Sequence, residues 1–136
     1  ELLDTLITSG KLNFNKNLNY KVTNHDPCYL GRYNGVYDAH RRVLEATGCT
    51  LIEMPRHGVR AFCCGAGGGR LWIEVCELKE RPSESRIREA VELDGIKDFV
   101  VACPKDVTMY QDAVKTTGQE SALLVKDLIE LVEEAL

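Results

Sequence analysis

The sequence predicts a small three-layer α/β fold on a mostly parallel sheet of about four strands. Short apolar, β-prone runs alternate with segments of helical periodicity, and three of those runs are closed by Pro27, Pro55 and Pro104. Strands alternating with helices need crossover connections, which keep the strands parallel and put helices on both faces. A chain of 136 residues has room for one such domain and its core.

Leu2, Leu3, Leu6 and Ile7 recur at helical spacing, so residues 1–12 read as a short amphipathic helix ending near Gly10. Polar residues 13–19 read as a linker. Tyr20 to Asn24 is a candidate strand, followed by the turn-forming Asp26-Pro27 pair that puts Cys28 just past its end. Val36 to Thr47 reads as a helix closed by Gly48, and Cys49 to Met54 as a second strand stopped by Pro55. Beyond a glycine-rich loop, Leu71 to Leu78 carries a helical pattern that Pro82 interrupts, and Ser83 opens a helix to about Leu93. Ile96 to Ala102 has the β-branched and aromatic content of a strand covered on both faces. Pro104 suits the first turn of a helix running to about Thr117. Ala122 to Val125 reads as a fourth strand and Asp127 to Leu136 as a terminal amphipathic helix.

Composition excludes several functions. A net charge of −4 gives a nucleic-acid-binding surface no electrostatic support. The apolar runs fall far short of the roughly 20 residues of a membrane-spanning helix. The chain opens on Glu1 without an apolar signal segment, as expected of a fragment or a processed chain. Six cysteines are too few for a disulfide scaffold of this size. A reducing, cytoplasmic compartment is therefore expected, where clustered thiols hold metal or do redox chemistry.

Ligands in an open parallel sheet sit beyond the carboxyl ends of the strands. On this reading Cys28 follows the first strand, Cys63 and Cys64 follow the second, and Cys103 follows the third, so four thiols share one edge. Cys49 at a strand start and Cys76 within a helical pattern are expected to be buried apolar fillers. Adjacent Cys63 and Cys64 cannot both point inward from a strand and require a loop. Gly65 and the Gly67-Gly68-Gly69 run give that loop freedom to bend around a bulky inorganic group, and their amides can donate to its sulfur atoms. The glycine run lacks both the dinucleotide-binding spacing and the lysine of a phosphate-binding loop.

The segments 25–32 (HDPCYLGR) and 62–70 (FCCGAGGGR), with Cys103-Pro104, resemble the cysteine-rich CCG domain of heterodisulfide reductase-like iron-sulfur oxidoreductases. Here 34 residues separate Cys28 from Cys63 and 38 separate Cys64 from Cys103. The resemblance covers roughly residues 21–136 and implies one cysteine-rich domain, a fragment or C-terminal part of a larger protein. It implies an iron-sulfur cluster, 4Fe-4S or non-cubane, that relays electrons through Cys28, Cys63, Cys64 and Cys103, with Gly65 and Gly67 beside it. Related proteins imply partners in a redox complex, ferredoxin-like, flavoprotein or quinone-linked, which would hold the domain free in the cytoplasm or peripheral to a membrane. The family pattern ends in C-x-x-C, whereas this chain has Cys103-Pro104-Lys105-Asp106. Four thiolates suit a 4Fe-4S cluster, and Asp106 either ligates iron or stabilises the positive end of its helix.

Two other chemistries fit the same thiols: a structural zinc site and a thiol-disulfide catalyst at Cys63-Cys64. His25 and Asp26 read chiefly as turn residues beside Cys28. Arg32 and Arg70 offset thiolate charge, dock an acidic cofactor, or are simply solvated. His40 and His57 are expected to be exposed, Tyr33, Tyr37, Trp72 and Tyr110 to pack at or beside the core, and Met109 to shield the site.

Overall fold

A computed structural model describes residues 1–73 and 79–136 of the chain. Four strands, β1 (Lys21–Asn24), β2 (Thr50–Leu51), β3 (Asp98–Val101) and β4 (Leu124–Asp127), form one sheet in the order β2-β1-β3-β4. Every neighbouring pair is parallel, with Asn24 of β1 beside Val100 of β3. The five α-helices are α1 (Leu2–Thr8), α2 (Ala39–Ala46), α3 (Pro82–Val91), α4 (Pro104–Thr116) and α5 (Leu128–Ala135).

Alternation along the central strands sends side chains to two cores. Phe99 and Val101 face Ile87 and Ala90 of α3 and Met109, Tyr110 and Ala113 of α4. Val22 and Val100 face Val43 and Leu44 of α2 and Leu131 and Val132 of α5, with Leu3 and Ile7 of α1 at the margin. Helices cover both faces, so β3 is apolar throughout except for Asp98. The helix starts follow local chemistry. Pro104 and Pro82 open α4 and α3, where no intrahelical N–H is needed. Asp127 caps α5 by accepting the Ile129 amide at 3.0 Å.

Several boundaries differ from expectation. β2 is two residues rather than the six of Cys49 to Met54. It is an edge strand bonded only to β1, and Glu53 turns to take the Arg41 guanidinium at 2.6 Å. The fourth strand begins two residues later than expected, because Ala122 and Leu123 both donate to the Gln119 carbonyl in a turn. α2 starts at Ala39 rather than Val36, whose amide is drawn back to Leu30 at 2.8 Å. At the start of the expected Leu71 to Leu78 helix, residues Gly67–Trp72 form 3-10 turns instead. Gly68 and Gly69 lie at φ of 64° and 76°, a left-handed conformation that an α-helix cannot continue. The rest of that segment, and the expected filler Cys76, lie outside the described residues. Among the described residues no helix is long and apolar enough to cross a membrane.

Candidate functional site

The chain leaves β1 toward β2 on one side and later adds β3 on the other, so the strand order reverses between β1 and β3. Open parallel sheets bind ligands in the crevice beyond the carboxyl ends at such a switch point. Cys28 lies four residues past the end of β1, and Cys103, two residues past β3, is the N-cap of α4. The loop after β2 makes a 3-10 turn at Gly58–Arg60 and then presents Cys63 and Cys64. Cys28, Cys63 and Cys64 line one cavity with His25, Asp26 and Phe62. Cys103 joins them through Asp106 in the first turn of α4, whose buried carboxyl has the Cys64 and Cys103 thiols as hydrogen-bonding neighbours. Cys28, Cys63, Cys64 and Cys103 are free thiols, as is Cys49, which packs in the Val22 core away from them.

The loop geometry depends on Gly65. It sits at φ of 89°, and a Cβ there would lie 3.3 Å from the Pro82 ring. The turn lets the Gly65 amide donate to Cys63 Sγ at 3.3 Å and the Ala66 amide donate to the Cys64 thiol. Gly67 lies exposed at the start of the following 3-10 turn.

Electrostatically the site disfavours negative charge on its own thiols and on Asp106. Burial pushes the Cys28 thiol up, and Asp106, Cys63 and Cys103 push it further. Cys64 is raised by burial and by Asp106. Burial also raises the Asp106 carboxyl, an effect the two thiols partly offset. The neighbours that raise Cys28 and Cys64 are Asp106 and adjacent thiols. Beneath them, burial holds His25 neutral with its pKa down to about 3. Its Nδ1 is hydrogen-bonded to the buried Tyr110 hydroxyl at 3.0 Å, and its Nε2 lies 3.8 Å from Asp106 Oδ2. A positive centre placed among the thiols would favour their ionised form, and soft thiolate donors suit zinc or iron-sulfur clusters. A lone tetrahedral zinc needs donors at about 2.0 to 2.3 Å from one point. Among the described residues no three His, Cys, Asp or Glu side chains are gathered to hold a single ion. Four thiol donors are the ligand chemistry that an iron-sulfur cluster takes.

Asp26 does far more than form a turn. Its buried carboxylate accepts from His40 Nε2 at 3.1 Å, from Arg41 Nη1 at 2.6 Å and Nη2 at 3.0 Å, and from the Gly58 amide at 2.7 Å. Burial would raise its pKa, but these donors hold it well below the usual carboxylate range. Arg41 also reaches the Tyr37 carbonyl. Arg32 adds a second tie, donating to the Ala61 carbonyl at 2.9 Å. The Cys28 turn is thereby fastened to the segment just before Cys63. His40 is thus buried rather than exposed, and His57 is half-buried with Nδ1 2.6 Å from the Met54 carbonyl. Tyr110 is fully buried as expected. Tyr33 and Trp72 are instead 73% and 85% exposed, with the Tyr33 ring tilted against Tyr29 at 5.2 Å between ring centres. Met109 is buried in the core under α4. Nothing local marks His40 or Arg41 in the sequence, because their partner lies 14 and 15 residues away.

Comparison with known proteins places these residues in context. The chain is 43% identical, over 98% of its length, to a probable membrane-anchored ferredoxin of Chromohalobacter salexigens. It is 40% identical over its full length to the EtfAB:quinone oxidoreductase of Syntrophomonas wolfei. Over its full length it is also 38% identical to one of the polypeptides of the dihydromethanophenazine:CoB–CoM heterodisulfide reductase of Methanosarcina mazei. It covers 20%, 20% and 32% of those proteins, so it spans about a fifth to a third of their length. No solved structure matches. The model of the cysteine-rich domain family, CCG, matches residues 22–105, more than half the chain. That span holds Cys28, Cys63, Cys64 and Cys103 and stops one residue short of Asp106, and the chain belongs to the CCG cysteine-rich domain family.

Proposed function

We propose that this domain holds an iron-sulfur cluster through Cys28, Cys63, Cys64 and Cys103 and relays electrons within a larger oxidoreductase. The single observation carrying this reading is the placement of Cys28, Cys63 and Cys64 around one cavity at the switch point of the sheet, with Cys103 reached through Asp106. The cluster supplies reversible electron uptake at a potential set by its type, charge, hydrogen bonds and exposure. The chain supplies the rest. Four thiolates ligate, the Gly65 and Ala66 amides donate to sulfur, and the Asp26 and Arg32 ties hold the two ligand loops in register. Four thiolates match a 4Fe-4S cluster, with Asp106 beside it as a neighbouring carboxylate. The relatives, an EtfAB:quinone oxidoreductase and a heterodisulfide reductase component among them, favour partners in such redox complexes, reached from the cytoplasm or at a membrane surface. Iron-sulfur proteins among the relatives, such as a probable iron-sulfur-binding oxidoreductase of Bacillus subtilis, favour the cluster over structural zinc.

Anaerobic purification with iron and sulfide quantitation and electron paramagnetic resonance tests the reading. Iron and acid-labile sulfide in matching amounts, with visible charge-transfer absorption, are expected. Colourless protein carrying one zinc would overturn it.

A further inference from the structure

Arginine is among the residues least often buried whole, yet Arg86 on α3 has no exposed surface. Its Nη1 donates to Glu89 Oε2 at 2.9 Å, while its Nε and Nη2 have no hydrogen-bond partner among the described residues. Glu89 does not serve Arg86 alone. The same carboxylate accepts from the Arg56 amide at 2.8 Å and from Arg56 Nε at 3.0 Å, so it answers two guanidinium groups at once. Arginine stays charged at any working pH. In a low-dielectric interior a cation neutralised only in part acts more strongly on its surroundings than it would in water.

Three contacts place that charge behind the thiol loop. Pro82 lies one helical turn before Arg86 on the same face of α3, and its ring is what a Gly65 Cβ would meet at 3.3 Å. That face of α3 therefore backs the turn that follows Cys64. On another flank the Arg56 guanidinium, held by Glu89, lies 4.1 Å from the centre of the Phe62 ring, next in sequence to Cys63. The third contact runs through His25 and Tyr110. Burial holds His25 neutral, and Arg86 adds to that effect. The Tyr110 hydroxyl, bonded to His25, is pushed up by burial, Asp106 and Cys64, and Arg86 pulls it the other way. Arg86 and the thiols thus act on one buried hydroxyl.

We propose that the buried Arg86 guanidinium is a fixed counter-charge for the cluster site, favouring the reduced form and so raising its reduction potential, with Glu89 limiting the effect. Uptake of one electron from a redox partner, with no proton, makes the site more negative by one charge. A cation enclosed in the same core stabilises that product more than the oxidised start. The proposal rests on the electron-relay reading above.

The test is a redox titration of the anaerobically purified protein, with dithionite as reductant and ferricyanide as oxidant, followed by electron paramagnetic resonance. Arg86→Met should move the oxidised-to-reduced ratio at fixed potential about tenfold toward the oxidised form, a fall in midpoint of about 59 mV for one electron. Glu89→Gln removes the opposing charge and should raise the midpoint, and Arg86→Lys, which keeps the charge, should stay near the parent. Arg56→Gln takes a cation from the same carboxylate, but one whose side chain is 39% exposed and screened by solvent, so it should shift the midpoint much less. Arg86→Met and Glu89→Gln should both lower the urea midpoint, so a purely structural effect would move both potentials the same way. Shifts of one sign, an unchanged potential in Arg86→Met, or an Arg86→Lys that behaves like Arg86→Met would overturn the counter-charge. Where one variant fails to fold or to take up iron, the sign of the other decides, upward for Glu89→Gln or downward for Arg86→Met. Iron-loaded parent with like-signed shifts overturns the role of Arg86 alone, whereas parent without iron overturns the relay and this proposal with it.

Discussion

Cys64 and Cys49 are equally hidden, each 6% exposed, yet their surroundings differ. Cys64 stands beside Asp106 and Cys63, whereas Cys49 packs on Val22 and Leu44 and accepts a hydrogen bond from the Thr47 hydroxyl at 3.3 Å. Cys64→Ser should therefore abolish iron incorporation, and Cys49→Ser should keep it while costing about 1 to 3 kcal/mol of stability for the buried hydroxyl. Iron content and urea unfolding read the two effects, and equal iron loss in both variants would refute the assignment. Asp106→Cys, which restores the C-x-x-C ending, should change the electron paramagnetic resonance spectrum, and an unchanged spectrum would leave Asp106 as a helix-end residue. The places of Cys28 and Cys103 just past β1 and β3 were legible because Pro27 and Pro104 mark where those strands stop. Asp26 was not, because an Asp-Pro pair explains itself locally as a turn while its four donors come from α2 and the loop after β2.

At the scale of elements, two loops depend on single groups. Gly65→Ala must hold a left-handed φ with its Cβ against Pro82, at about 1 to 2 kcal/mol, and should lower iron content more than Gly67→Ala, which meets open space. The anchoring of α3 is open to a pH test. Burial raises the Glu89 carboxyl, but the Arg56 amide at 2.8 Å and Arg86 Nη1 at 2.9 Å lower it below its ordinary 4.5. A depressed carboxylate stabilises the fold above its unfolded pKa and loses that contribution as pH falls through the folded one. Glu89→Gln should thus be less stable than the parent at neutral pH, with the gap closing below about pH 4.5. Urea midpoints across that range check it, and a constant gap would refute it. The five α-helices and four strands followed from periodicity, β-prone runs and turn residues, whereas their ends and the 3-10 turns at Gly67–Trp72 did not. β2 was cut short by the Arg41 to Glu53 bond and β4 was delayed by the Gln119 turn, both set by partners outside the local pattern.

For the whole molecule, alternation of strand and helix sufficed to predict the three layers and parallel pairing, but not the order β2-β1-β3-β4. Strand apolarity shows which strands are covered and is silent on which neighbour each one takes. β3 lies between β1 and β4 and supplies both cores, so Phe99→Ala should cost about 3 to 5 kcal/mol. That is much of the roughly 5 to 15 kcal/mol holding a domain together. A Tm drop of only a degree or two would show that Phe99 is not central.

The Asn15 amide bonds the Ala135 carbonyl, its side chain holds the last carbonyl, that of Leu136, at 2.8 Å, and Lys16 reaches Glu134 nearby. The segment joining α1 to β1 and the end of α5 therefore share one anchor. Strain on that anchor is felt first by α5 and the Val22 core it covers, and not by the loops that bear the thiols.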